Sequence, residues 1–241
     1  MSALRDDGAG PQPKLVYLAK RNPGLNHEQF IRRWRQHGAL AMGLQRWNSI
    51  ERCAHCDALS APPDLPQASG DYDGIGVIWF HDSLPGTEED MVKLRADELE
   101  TFSANVNQFA LEVREQVVVD GHGRLKANYF AARSGDQSRA EFIARWMREP
   151  PDGVLPAAPA SGLVRRLVQN EVCDTDRDTA LEFDGYAEYW FENTADLVSF
   201  FADDADSPLR DPLIDQDRSV LVVSNEVLIY DFTPDGQARE P

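Results

Sequence analysis

Few residues in this sequence have the chemistry to move a proton near neutral pH, and His37 is the first of them. It lies at the end of the first predicted helix, and a neutral imidazole is the usual proton shuttle at pH 7. A structural role is the alternative, because the macrodipole favours histidine near a helix C-terminus and Gly38 is a typical stop signal. No histidine follows residue 122, so an active site built on His37 is expected to be single and asymmetric.

Two similar strand segments, GIGVIWF and GYAEYWF, carry the next candidates. Alternate side chains of a strand face opposite sides of a sheet, and one face here is small and apolar, which suits close helix packing. By elimination, the other face should line the interior of the fold; its members include Asp73, Trp79, His81, Tyr186, Glu188 and Trp190. We predict that Asp73 and Glu188 are catalytic together with His37, and that the other four bind substrate.

The environment of Glu188 decides what it could do. In an apolar interior, desolvation would raise the pKa of this carboxyl and make it a usable acid or base near neutrality. The alternatives are a glutamate at a wet mouth of the fold or one that is paired with an arginine.

The segment Cys53-Ala-His55-Cys56 brings together residue types that can bind zinc. A full site needs a second ligand pair, and on a strand Cys53 and His55 would share one face while Cys56 points away. We therefore predict no metal, His55 as a pocket residue, and the cysteines as small buried hydrophobic residues.

Two aromatic residues complete the candidate substrate-binding set. Tyr17 lies on the first predicted strand and could donate a phenolic hydrogen bond to a substrate oxygen, with core packing as its alternative role. Trp47 precedes the second predicted strand and could form a pocket wall. The sequence has no GxGxxG, Walker, GxSxG or HExxH motif, so cofactor-free acid/base chemistry is the class that remains.

Composition limits the partners. The 241 residues are 42% hydrophobic and 27% charged, which is typical of a folded globular protein. A net charge of −17 argues against nucleic acid and anionic lipid as partners. No apolar run approaches the roughly 20 residues needed to cross a bilayer. Three cysteines and no signal-like N-terminus predict a cytoplasmic location.

The chain repeats itself once. Lys14–Trp34 aligns without a gap to a segment 112 residues later, and Tyr72–Asp82 and Glu115–Asp120 each align to segments 111 residues later. This indicates two duplicated units. The predicted boundaries are a disordered leader over 1–11, a first unit over 12–120, a second unit over 124–233 and a tail over 234–241.

Within the first unit, hydrophobic periodicity and turn residues predict six elements. These are strands at Leu15–Ala19, Ile50–Cys53, Ile75–Phe80 and Gln116–Val119, a helix that starts after the N-cap Asn26, and a helix over Glu88–Gln108. The β-α-β-β-α-β order is that of a ferredoxin-like unit. One such unit leaves a sheet face uncovered, so two tandem units are expected to form a pseudo-two-fold α+β barrel with helices outside and a pocket between the sheets.

The first unit resembles the EthD family. The resemblance rests on KRNPGL, FIRRW and HGAL, followed by YDGIGVIWF, and it places His37 in the segment that matches the family's H-G-P-L pattern. The sequence departs from that pattern at Ala39, where proline is usual, and at Asn26, which replaces the serine cap. The second unit keeps less of the pattern and lacks the histidine segment.

The resemblance implies a dimeric α+β barrel fold, whose members include decarboxylases, polyketide cyclases, lyases, cofactor-free monooxygenases and more distant haem enzymes. We predict an enzyme of lyase, dehydratase, cyclase or decarboxylase type that binds a mostly apolar, aromatic or polycyclic molecule inside the barrel without a cofactor. The alternatives are a non-catalytic binding or accessory protein and, with less support, a haem enzyme, which would need a second-unit histidine. A homodimer is the habit of the superfamily, although internal duplication already pairs the sheets.

Overall fold

Two halves of the chain have the same order of strands and helices. The computed structural model describes residues 13–80, 87–147, 159–173 and 179–231. The first half contains β1 (Pro13–Ala19), α1 (His27–Met42), β2 (Ile50–Ala58), β3 (Gly74–Phe80), α2 (Glu88–Thr101) and β4 (Ala110–Val119). The second half contains β5 (Leu125–Arg133), α3 (Arg139–Trp146), β6 (Arg166–Val172), β7 (Gly185–Phe191), α4 (Thr194–Asp203) and β8 (Ile214–Asp231).

The eight strands form one closed antiparallel barrel. Their order around it is β1-β3-β2-β8-β5-β7-β6-β4, and β4 pairs with β1 to close the ring. Each half contributes four neighbouring strands, and the halves join where β2 pairs with β8 and where β4 pairs with β6. The predicted fold class, two ferredoxin-like units in an α+β barrel, is confirmed. The duplication itself and its boundaries stay a prediction.

Helices α1 and α3 pack on the outer face of the barrel through matching tryptophans. Trp34 of α1 lies over Gly74 of β3, and Trp146 of α3 lies over Gly185 of β7. A Cβ atom built on either glycine would come within 2.5 Å of the indole above it, so only glycine fits at these two positions.

The barrel interior contains the face of β3 and β7 that strand parity predicted. Ile75, Val77 and Trp79 belong to a buried cluster that includes Phe130 and Tyr186. Because opposite faces of these strands meet the helices and the interior, the parity prediction is confirmed.

Both predicted helix starts agree with the structure, but two helix ends do not. Asn26 caps α1 in a capping box with Gln29, as its polar side chain predicted. Gly38 does not stop α1, which continues to Met42 and is capped by Gly43. The second helix ends at Thr101, not Gln108, because Phe102 takes an extended conformation and packs among the aromatic residues below α1. None of the helices in the described ranges combines the length and apolar character that a membrane crossing needs.

Candidate active site

An apolar cleft of about 280 Å³ lies between α1, α2 and the outer face of the first-half sheet. Its volume is near the lower end of the roughly 300–1,000 Å³ typical of small-molecule sites. The residues that line it are mostly apolar with a few ionisable side chains: Leu15, Tyr17, His37, Ala41, Arg46, Trp47, Ile50, Ile78, Met91, Leu94, Arg95, Glu98, Val106 and Asn107. Three of the predicted site residues, Tyr17, His37 and Trp47, therefore meet at one cavity.

His37 is held from behind by a carboxylate on the neighbouring helix. Its Nδ1 lies 2.7 Å from Oδ2 of Asp97, and the guanidinium of Arg33 also donates to that carboxylate. Partial burial opposes ionisation of Asp97, but the hydrogen bonds from Arg33 and His37 outweigh it and lower the pKa of Asp97. A carboxylate can only accept, so Nδ1 of His37 carries the hydrogen of this hydrogen bond; in the neutral form of the imidazole, Nε2 would then have the lone pair that can accept a proton.

The position of His37 within α1 corrects one sequence interpretation. The helix continues for five residues beyond it, so His37 is not a C-terminal histidine stabilised by the macrodipole. The side chain is buried, and its ring packs edge-on against Phe102.

Tyr17 presents its hydroxyl group on the same outer face. The hydroxyl accepts a hydrogen bond of 2.9 Å from Nε1 of Trp34. Burial raises the pKa of Tyr17, and the nearby Cys53 and Glu98 act in the same direction. The phenol is therefore neutral at physiological pH and keeps its own hydrogen for donation.

Trp47 closes one side of the cleft. Its ring packs edge-on against Tyr230, with ring centroids 5.3 Å apart. The indole Nε1 is buried and has no hydrogen-bond partner among the described residues. A buried donor without a partner is costly, so a small ring movement that brought it to a ligand oxygen would be favourable.

His55 lies below the cleft and does not line it. Its ring stacks on Trp34 with centroids 4.0 Å apart, and Arg35 donates to its Nδ1 at 2.6 Å. Burial, with additional contributions from Arg35 and His37, holds the pKa of His55 well below its usual value. The ring is a neutral structural element of the helix–sheet interface.

Cys53 and Cys56 point to opposite faces of β2, as predicted from strand parity. Cys53 packs with Trp47 outside the barrel, and Cys56 belongs to the barrel interior. The two thiols cannot share an ion in this arrangement. Burial raises the pKa of each thiol to about 12, which leaves both protonated and unreactive at neutral pH.

Asp73 binds Arg21 in the loop that follows β1, and it does not line the cleft. One of its oxygens accepts the backbone N–H of Arg21 at 2.8 Å, and the other accepts from the Arg21 guanidinium. Asp184 and Arg133 make the same two contacts in the second half. The repetition indicates a structural role: the aspartate–arginine pair holds the end of β1 against the start of β3 in the first half, and the end of β5 against the start of β7 in the second half.

Glu188 lies inside the barrel between two buried lysines. Lys126 is 2.7 Å from one of its oxygens, and Lys14 forms an ion pair with the other. The expectation of a raised pKa is wrong. Burial does oppose ionisation, but the two ammonium groups outweigh it and lower the pKa of Glu188. The lysines could not be foreseen because they come from β1 and β5, far away in the sequence.

Trp79 and Trp190 join Glu188 at a second cavity, of about 420 Å³, at the barrel end that the 120–124 connection covers. This cavity is lined mainly by charged side chains. Tyr186 is enclosed deeper in the barrel, where its hydroxyl donates to Oδ1 of Asn128 at 2.8 Å. His81 lies outside the described residues. Three of the predicted site residues therefore line the cleft and three line this second cavity, whereas Asp73, His55 and Tyr186 line neither.

Part of the first half matches a known protein domain. Residues 22–110 match the EthD domain. This span contains His37, Trp47 and Asp97 and ends at Ala110, the first residue of β4. A search of curated protein sequences gives no significant match.

Several solved structures resemble the chain over most of its length. A proposed monooxygenase from Lactobacillus acidophilus is 9% identical, with 91% of this chain and 96% of that one covered and a TM-score of 0.45. A proposed monooxygenase from Fusobacterium nucleatum is also 9% identical, with coverages of 90% and 94% and a TM-score of 0.49. A proposed chlorite dismutase is 9% identical, with coverages of 90% and 95% and a TM-score of 0.46. At this identity, the likeness says nothing about chemistry.

Two residues of α2 at the site were not found from the sequence. Asp97 and Glu98 belong to a helix with nine charged or polar positions, where nothing local distinguishes them. Only the packing of α2 against α1 shows that Asp97 supports His37 and that Glu98 is buried at the cleft.

Proposed function

We propose that the protein is an enzyme that moves a proton on a mostly apolar, aromatic or polycyclic small molecule, without a cofactor. The reaction class is lyase, dehydratase, cyclase or decarboxylase. The reaction takes place in the cleft between α1, α2 and the first-half sheet, and not inside the barrel as the sequence led us to expect. The EthD match over 22–110 supports an enzyme-like fold for this half.

One observation carries the proposal: a histidine oriented by a carboxylate lies on the wall of a mostly apolar cleft. The hydrogen bond between Nδ1 of His37 and Asp97 leaves Nε2 as the base. Asp97 also stabilises the imidazolium that forms once His37 has taken a proton.

The first step follows from these groups. Nε2 of His37 takes a proton from a carbon next to a carbonyl group of the substrate. The C–H bond breaks, and its electron pair moves to the carbonyl oxygen as an enolate. The hydroxyl of Tyr17 donates to that oxygen and stabilises its charge. In an elimination, the enolate re-forms its carbonyl as the C–O bond to a β-hydroxyl breaks, and His37 returns the proton to the leaving hydroxyl, which departs as water. In a cyclisation, the enolate carbon instead attacks a second carbonyl carbon of the same molecule, and His37 gives the proton to the new alkoxide. In a decarboxylation no C–H bond breaks: the C–C bond to the carboxylate breaks, CO₂ leaves, the enolate forms from that electron pair, and protonated His37 supplies a proton to carbon.

The proposal does not include the other predicted catalytic residues. Asp73 and Glu188 are each paired with cations, and neither lines the cleft. Trp79 and Trp190 line the barrel-end cavity instead.

The test begins with a thermal-shift screen of aromatic and polyketide-like molecules, because a ligand that binds only the folded state raises its apparent stability. Each ligand found is then incubated with the protein and followed by absorbance and mass spectrometry. We expect turnover that His37→Gln reduces by roughly 10²–10⁴-fold, the usual contribution of a general base. His122→Gln, outside the cleft, is the matched control and should keep the full rate.

Unchanged turnover by His37→Gln would contradict the proposal. A ligand that binds the cleft and is recovered unchanged under all conditions would instead favour the alternative, a binding or accessory protein.

A further inference from the structure

A second ionisable side chain in the cleft has no role in the proton transfer described above. Glu98 is only 5% exposed, and it lines the same cavity as His37. Buried carboxylates are rare unless a cation pairs with them. Within the part of the chain that the structure describes, no lysine, arginine or histidine forms an ion pair with Glu98.

The hydrogen bonds of Glu98 are unevenly divided between its two oxygens. Oε2 accepts from Nδ2 of Asn105 at 3.0 Å and from the backbone N–H of Val106 at 3.1 Å. Oε1 accepts no hydrogen bond from the described residues. Some polar atoms of these residues are both fully enclosed and without a partner, but Oε1 is not one of them, so it is reached by solvent. One oxygen therefore orients the carboxylate, and the other is accessible and has capacity to accept.

We propose that Glu98 selects the ligand of the cleft by accepting a hydrogen bond from a phenolic or enolic O–H group. This inference rests on the proposed function and adds the class of molecule that the site takes. An ionised carboxylate only accepts, so it favours ligands with a hydrogen to donate and disfavours anionic ones. The apolar walls and the volume of about 280 Å³ suit one or two fused rings.

The experiment compares two probes that differ in that one hydrogen, 2-naphthol and 2-methoxynaphthalene. Their affinities are measured by isothermal titration calorimetry with the wild-type protein, Glu98→Gln and Glu100→Gln. Glu100 is an exposed residue of the same helix and serves as the matched control. Glutamine keeps an oxygen for Asn105 and Val106 but removes the negative charge.

We expect the wild-type protein to bind 2-naphthol at least roughly tenfold more tightly than the methyl ether, the effect of one hydrogen bond to a charged acceptor. Glu98→Gln should lose most of this preference and keep its affinity for the ether, whereas Glu100→Gln should behave as wild type.

Two results would overturn the inference while leaving the cleft as a small-molecule site. They are equal wild-type affinities for the two probes, and a tenfold preference that survives in a folded Glu98→Gln variant. The wild-type comparison needs no variant, so it tests the inference even if the substitution prevents folding. Failure of both probes to bind would count against the cleft as an aromatic site, and against this inference with it.

Discussion

Replacing Glu188 by glutamine should destabilise the protein strongly, although Glu188 takes no part in the proposed chemistry. Its side chain is 1% exposed, and those of its partners Lys14 and Lys126 are 0% and 1% exposed. Removing one member of a buried ion pair typically costs about 3–5 kcal/mol, because it leaves an uncompensated charge. Here Lys14 keeps Glu115, and Lys126 keeps Glu226. We therefore expect the lower end, a loss of about 3 kcal/mol in the free energy of unfolding.

The assay is urea denaturation, followed by tryptophan fluorescence and far-UV circular dichroism. In thermal unfolding of a chain of this size, a loss of 3 kcal/mol in the free energy of unfolding corresponds to a drop of roughly 6–12 °C in Tm. The control is Glu192→Gln, which removes an exposed pair with Arg124 and should cost no more than about 1 kcal/mol. The folded-state pKa of Glu188 is lowered from 4.5, so its contribution is complete above that pH and declines as the pH falls further.

A loss of less than 1 kcal/mol in the free energy of unfolding for Glu188→Gln at pH 7 would contradict the prediction of a strong destabilisation. It would mean that Glu188 is not an ion-pair partner of the two lysines, and the barrel interior would need another source of charge balance.

Three further predictions concern groups outside the reaction. The folded-state pKa of His55 is lowered, so below about pH 6.5 the unfolded chain binds a proton that the folded chain does not, and the free energy of unfolding should fall by about 1.4 kcal/mol for each unit that the pH decreases. Urea titrations of His55→Gln at pH 5 and 7 should lack this dependence. An unchanged dependence would contradict the assignment to His55. Gly74→Ala should cost about 1–3 kcal/mol by overpacking against the indole above it, whereas Gly135→Ala, with open space around it, should cost far less, as measured by thermal denaturation. Cys53 and Cys56 should not react with a thiol reagent at pH 8 until urea unfolds the chain, and three fast-reacting thiols in the native protein would show that the two are not buried.

Local sequence signals predicted the elements and their faces well. The predicted N-cap Asn26 depends on side chains within three residues, and it caps α1 in the structure. The division of β3 into a helix-facing and an interior face depends only on the two-residue period of a strand. Such features are readable because their causes lie within a few residues.

The end of α1 shows where local signals mislead. Glycine usually marks a helix end, but Gly38 sits inside α1, where a position without a side chain faces the ring of His55. The helix continues because it packs against the sheet, and that packing outweighs the intrinsic cost of glycine, about 1 kcal/mol.

The candidate site was predictable only in part, because its partners are far apart in sequence. The motif around His37 identified the histidine, but Asp97 lies 60 residues away on α2. The location of the cavity depends on which spaces the side chains leave unfilled. Sequence alone therefore placed the pocket inside the barrel, where ion pairs and apolar side chains fill much of the space.

Where an aromatic ligand binds decides whether the cleft is the active site. The five tryptophans give five indole N–H signals in a ¹⁵N–¹H NMR spectrum. Each signal is assigned to its residue by the single Trp→Phe variant in which it disappears. We predict that 2-naphthol shifts the signal of Trp47 in the cleft and leaves those of Trp79 and Trp190 at the barrel end in place. Shifts of Trp79 and Trp190 with an unmoved Trp47 would contradict it and return the binding site to the barrel.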